Sequence, residues 1–279
     1  MDKKWKLRVW GVRGAIPVPD ADFLEYGGNT SCISLECGNR LVVFDAGSGL
    51  TKLGSCLCRT GRKQADVLLG HLHMDHLCGL FGFPLLFDPE AEVHLYGPAD
   101  SDMGLGERLS TLVGVPYWPL GLADFPANIF VHEMDGGTRF SLSGGKKTSE
   151  DVTVSTLTGN HPGGSLYYRV EGGGRSVIYV LDCETDEKMF QKLQGFAEGG
   201  DLVIWDANFS EEELPKKKGW GHSSWKQGIE LRKAAGVKRV LMTHYSWEYR
   251  DSFLRQQQEL AVCADEACSF AKEGMVIEI

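Results

Sequence analysis

Short apolar runs bounded by Gly, Pro, Asn or Asp recur about a dozen times along this chain, alternating with stretches whose apolar residues repeat at helical spacing. Strands are expected at 7–10, 32–37, 41–44, 67–69, 92–96, 129–133, 152–157, 166–171, 176–181, 202–205, 239–242 and 275–279. Helices are expected at 50–59, 77–83, 103–113, 186–198, 224–235 and 251–272. An open sheet commonly holds about four to six strands, so this many calls for two. The expectation is an α/β fold in which two sheets pack face to face with helices outside.

With 279 residues, 42% of them hydrophobic, the chain can bury a large core, as one big α/β domain or two modest ones. No linker divides it. The pairs Gly136-Gly137 and Gly144-Gly145 and the triplet Gly172-Gly173-Gly174 sit between strand-like runs and mark turns. Residues 1–279 are therefore expected to form a single domain. The basic start, Met1 to Arg8, lacks the apolar stretch of a signal peptide, and no apolar run could span a bilayer, so a soluble cytoplasmic protein is expected. The eight cysteines, at 32, 37, 56, 58, 78, 183, 263 and 268, have no paired CxxC spacing and are expected to be mostly reduced and buried. A net charge of −9 argues against broad binding to long nucleic acid, which needs a basic face. Lys216-Lys217-Lys218 is the exception, readable as a solvated loop or as a phosphate contact.

Chemistry concentrates at residues 71–76, His-Leu-His-Met-Asp-His, directly after the apolar run Val67-Leu68-Leu69-Gly70. His71 and His73, two apart at a strand end, project to one side and can grip one ion. Asp75 and His76 lie where the chain turns and can reach a second. Further candidates end other apolar runs: His161 after 152–157, Asp182 after 177–181, and His244 after 240–243. An unpaired carboxylate is costly at the end of a buried strand, so Asp182 calls for a partner.

With these residues the chain resembles the metallo-β-lactamase-fold hydrolases, essentially end to end. The family's HxHxDH motif and its later His, Asp and His match His71, His73, Asp75, His76, His161, Asp182 and His244. The resemblance implies a four-layer αβ/βα sandwich of two mixed sheets. It also implies one ion on His71, His73 and His161, another on Asp75, His76 and His244, and Asp182 between them. Asp45, in the Asp-Ala-Gly turn that follows Phe44, is then expected to orient the metal loop rather than bind metal. The mixed donor set suits zinc, and manganese or iron would accept it.

Residues outside the ligand set point to a branch. Gly221-His222-Ser223 resembles the GHS motif of the phosphodiesterase branch, which includes tRNA 3′-processing endonucleases and the phosphonate-pathway cyclic phosphodiesterase. Trp205-Asp206-Ala207-Asn208-Phe209 stands where those endonucleases have HEATF. The resemblance makes His222 a proton donor, Asp206 its orienting partner and Asp75 the residue that aligns the attacking water; a loop histidine capping the helix near Ser224 is the alternative for His222. The endonucleases carry a long arm between the residues matching His161 and Asp182, whereas twenty residues separate the two here. The branch's glycine-rich N-terminal loops match Arg13 to Pro17 and Tyr26 to Ser31, where Asn29 or Thr30 could meet substrate or simply brace the loop. Trp220, Trp225 and Trp247, with Pro116-Tyr117-Trp118-Pro119, could wall a base or belong to the core, and His94 and His132 lie inside strand patterns as structural residues.

The resulting expectation is a dinuclear metal-dependent hydrolase that cleaves a small cyclic or nucleotide-like phosphodiester by attack of metal-bound hydroxide, with homodimers common in the resembled branch. A thioester hydrolase of the glyoxalase II type shares the ligand set. A non-enzymatic metal-binding sensor on the same fold is the alternative of another class, and a plugged site would favour it.

Overall fold

A computed structural model describes residues 4–142 and 151–279. Residues 1–3 and the Gly144-Gly145 turn lie outside the described residues. The first sheet holds β1 (Lys6–Gly11), β2 (Cys32–Cys37), β3 (Arg40–Phe44), β4 (Gln64–Leu68), β5 (Glu92–Pro98) and β6 (Asn128–Met134), with β14 (Val276–Glu278) at the edge beside β1. The second runs in spatial order from β7 (Arg139–Ser141) through β8 (Thr153–Thr158), β9 (Leu166–Gly172), β10 (Arg175–Val180), β11 (Leu202–Asp206) and β12 (Arg239–Thr243) to β13 (Cys268–Phe270). Each sheet mixes parallel and antiparallel pairs. The helices are α1 (Leu50–Thr60), α2 (Leu105–Leu112), α3 (Glu187–Ala197), α4 (Trp225–Ala234) and α5 (Asp251–Ala264).

Strand β3 shows how the layers form. Val42 and Phe44 enter the core shared with the second sheet, while Leu41 and Val43 face a separate core with Leu50, Leu53 and Leu57 of α1. Successive strand residues point to opposite faces, so a strand covered on both sides reads as an unbroken apolar run. The expected pair of sheets with helices outside is what these cores build.

Four expectations need correction. The span 77–83 is not one helix: it holds the short 3₁₀ turn Leu80–Gly82 and lies between those of Met74–His76 and Pro84–Phe87. Pro84 and the glycines at 79 and 82 break the run. The helix expected to reach 272 stops at Ala264, where Asp265 turns extended and accepts Arg232 Nε at 2.8 Å. The chain then adds β13 parallel to β12. Short strands β7 and β13, only three residues each, escaped the sequence pattern. All eight cysteines are unpaired, but four rather than most are buried. No helix of the described residues is long and apolar enough to cross a membrane.

Candidate metal centre

Strand direction gathers the site. β10, β11 and β12 are mutually parallel and in register, Val180 beside Trp205 and Trp205 beside Met242. Asp182, Asp206 and His244 therefore emerge at the same ends, where open α/β sheets place their ligands. β8 and β10 are each antiparallel to β9, so His161 leaves β8 at that end too. In the other sheet β3 and β4 are parallel, and Asp45 and His71 follow their ends.

The seven expected ligands converge. His73 Nδ1 faces His161 Nε2 at 3.2 Å, and His76 Nε2 faces His244 Nε2 at 3.2 Å. Asp75 Oδ2 lies 3.2 Å from His76 Nε2 and 3.3 Å from His244 Nε2. Asp182 stands between the two groups: its Oδ1 is 3.9 Å from His71 Nε2 and 3.7 Å from His161 Nε2, its Oδ2 3.1 Å from His76 Nε2 and 3.4 Å from His244 Nε2. His71, His73 and His161 form one possible ion site and Asp75, His76 and His244 another.

This arrangement fits cations. His161 Nδ1–H donates to Gly221 O at 3.0 Å, and His76 Nδ1–H to Asp45 Oδ2 at 2.5 Å, so the Nε2 of each is left to present a lone pair to the cluster. Facing lone pairs repel unless a positive charge lies between them. His71 Nε2 is buried with no hydrogen-bond partner among the described residues. It would cost free energy if left so.

Around His76 and His244, neighbouring carboxylates favour protons that supply that charge where no metal sits. Burial opposes protonation of His244, but Asp182, Asp206 and Asp75 override it and raise its pKa to about 10. His76 is raised in the same way by Asp45, Asp75 and Asp182. Burial likewise opposes ionisation of Asp182, yet His244, His71 and His76 hold it well below the usual carboxylate range. His71 goes the other way, pushed down chiefly by burial.

The backbone is strained where it serves this cluster. Among the described residues, the non-glycine positions with positive φ are Ala15 (65°), Asp45 (58°), Asp182 (54°) and His244 (60°). Such left-handed residues are costly and persist where surroundings impose them. Two of them are expected ligands. Asp45 accepts the Gly70 amide at 2.7 Å, the His76 ring and the Tyr179 hydroxyl, contacts that tie it to the metal loop. Ala15 N–H donates to Asp75 Oδ2 at 2.8 Å, a contact no sequence signal announced.

His222 lies beside the cluster, its Nδ1 2.9 Å from Asp206 Oδ2. Asp206 is fully buried and also accepts the amides of Asn208 and Cys183. Ser224, not His222, caps α4. His222 lines a cavity of about 370 Å³ together with Ala15, His73, Asp75, His161, Asp182 and Trp220. The site is open rather than plugged.

Asn29, Thr30, His94 and His132 are committed elsewhere. Asn29 bonds Glu273 and Ser48, and Thr30 is buried against Ser48, so both brace the loop. His94 Nδ1 pairs with His132 Nε2 at 2.9 Å within the sheet. Trp225 is buried, whereas Trp220 and Trp247 are exposed. Lys217 lies over the rings of Phe209 and Trp220. Glu184, unmarked in sequence, accepts both the Gly219 and Gly221 amides.

The beta-lactamase superfamily domain matches residues 40–245. Ribonuclease Z of Archaeoglobus fulgidus is 24% identical, covering 88% of each chain. Among solved structures, the metallo-beta-lactamase fold protein YhfI of Bacillus subtilis superposes with a TM-score of 0.73 at 22% identity, over 99% of both chains. Human tRNase Z, short form, gives 0.68 at 21% over 98% of both. A diphosphatase of the PhnP family gives 0.68 at 17%, over 99% of this chain and 98% of that one.

Proposed function

The chain belongs to the beta-lactamase superfamily, and on that premise we propose that it is a two-metal phosphodiester hydrolase acting on small substrates. The observation that carries the reading is the buried Asp206 carboxylate holding His222 Nδ1 at 2.9 Å beside the cavity over the ligand cluster. Two divalent cations, when bound, supply positive charge to the phosphoryl group and acidify the attacking water. His71, His73 and His161 would hold one, Asp75, His76 and His244 the other, with Asp182 shared; zinc suits this set.

The chain's own groups do the rest. Ala15 N–H fixes Asp75 Oδ2 at the cavity wall, where this carboxylate aligns the attacking water and accepts its proton. With Nδ1 committed to Asp206, His222 has Nε2 free to hand a proton to the leaving alkoxide, a poor leaving group without one. A thioester hydrolase would release a thiolate, which needs that proton far less.

Small substrates are favoured by the link from His161 to Asp182. Its residues are consumed by the β9–β10 hairpin, closed by Gly173 and Gly174 in a tight left-handed turn (φ 56° and 70°), leaving no length for a projecting arm. The net charge of −9 points the same way. A second reading, RNA 3′-processing, is favoured by the ribonuclease Z relatives. The test is metal analysis joined to hydrolysis of bis(p-nitrophenyl) phosphate, 2′,3′-cyclic nucleotides and a tRNA precursor. About two metal equivalents with turnover of the small esters is the expected outcome. Metal without phosphodiesterase activity would refute it, and cleavage of the precursor alone would move the substrate to RNA.

A further inference from the structure

One wall of the cavity has no part in the chemistry above. Trp220 lines it beside His161 and His222, yet the residue is 58% exposed. A single exposed aromatic is ordinary on a protein surface, but this one stands on the wall of the site cavity. The backbone that carries it is anchored on both sides. Glu184 Oε2 accepts the Gly219 amide at 2.7 Å and the Gly221 amide at 3.0 Å, clamping the residues on either side of Trp220. Gly219 and Gly221 have φ of 87° and 84°, which glycine alone adopts cheaply. The Gly221 carbonyl is tied in turn to His161 Nδ1, so the indole is indexed to the ligand cluster.

The ring is also backed by neighbours. Phe209 meets it edge-on, with centroids 6.4 Å apart, and itself packs edge-on against His222 at 5.2 Å. The Lys217 ammonium lies over the indole, 4.5 Å from its centroid. A cation on one face polarises the ring and leaves the other face for a flat partner. An anchored, exposed indole next to a phosphate-handling cavity matches the way single-stranded nucleotides are held, by stacking on an aromatic side chain.

We propose that Trp220 is the stacking platform for the base of a nucleotide whose phosphate lies over the ligand cluster, and that Glu184 is the positioning residue that holds the platform in place. This rests on the phosphodiesterase reading and names its substrate class: base-bearing phosphodiesters rather than base-free sugar esters.

The test compares binding of AMP and ribose 5-phosphate to the zinc-loaded protein by titration calorimetry. AMP should bind about tenfold tighter or more, as one base–aromatic stack allows. Trp220→Ala should bring AMP to the ribose 5-phosphate level while leaving ribose 5-phosphate unchanged, and Trp220→Phe should keep most of the preference. Glu184→Ala should lose it, and Glu184→Gln, whose amide oxygen still accepts, should recover it. Equal binding of the two ligands by the unaltered protein would overturn the proposal, as would an equal loss for both in Trp220→Ala. A preserved AMP preference in a protein inactive on every phosphodiester would count against the catalytic reading alone, and turnover without any AMP preference against the platform alone.

Discussion

Replacing His222 with Ala separates the two halves of the proposed chemistry. The imidazole is held by one hydrogen bond, Nδ1 to the buried Asp206 at 2.9 Å, with Phe209 edge-on to its ring, and its Nδ1 is 3.7 Å from Asp182 Oδ1. Its loss should therefore remove proton donation and leave the metal groups intact. Positioned acid catalysis contributes roughly 10²–10⁴-fold, about 3–5 kcal/mol of barrier. That whole factor should appear in kcat for a 2′,3′-cyclic nucleotide, whose leaving alkoxide is strongly basic. With bis(p-nitrophenyl) phosphate the leaving p-nitrophenolate is stable unprotonated, and the loss should stay below about tenfold, short of the range for acid catalysis. The assay is steady-state turnover of both esters by the same preparation, with zinc measured in it. Equal losses on the two substrates, or loss of metal, would refute the assignment of His222 as acid.

Three further outcomes follow from the geometry. The pKa of His244 is raised to about 10 in the metal-free cluster and that of His76 is raised as well, so at pH 7 an incoming cation must displace a proton from His244; metal titrations in buffers of different ionisation enthalpy should show net proton release, and acidification should weaken metal binding. Gly221→Ala would put a methyl group into His161 Nδ1 and Pro162 at a φ of 84°, which should cost about 2–4 kcal/mol in urea unfolding and lower occupancy of the ion site that includes His161. Asp66 is buried, and burial raises its pKa against the pull of Arg40. A raised folded-state pKa means stability present below the unfolded pKa and lost as pH climbs through the folded one, so Asp66→Asn should flatten that decline and be at least as stable as the unaltered protein at neutral pH; a steeper decline in the variant would count against this.

The candidate ligands were legible because each obeys a local rule. His71, His161, Asp182 and His244 are metal-binding residue types that end apolar runs, and parallel strands deliver such ends to one edge. The two-sheet architecture was legible for a similar reason: strands covered on both faces, such as β3, read as unbroken apolar runs, and too many occur for one sheet. Three-residue strands such as β7 and β13 carry too little pattern to be read, and they form because a neighbouring strand offers an open edge.

Tertiary structure alone decided how the cluster at 71–76 is completed. That Asp182 turns one oxygen to each ion group depends on a left-handed backbone at φ 54°, which surroundings impose and no propensity foretells. The Ala15 amide on Asp75 spans 60 positions, and the Glu184 carboxylate on Gly219 spans 35. Asn29 and Thr30 had the right chemistry to meet a substrate and are instead spent on the fold. Residue type and spacing determine which groups can bind a cation; which atom of each faces inward, and what holds it there, follows from contacts between segments far apart in the chain, where sequence separation carries no signal.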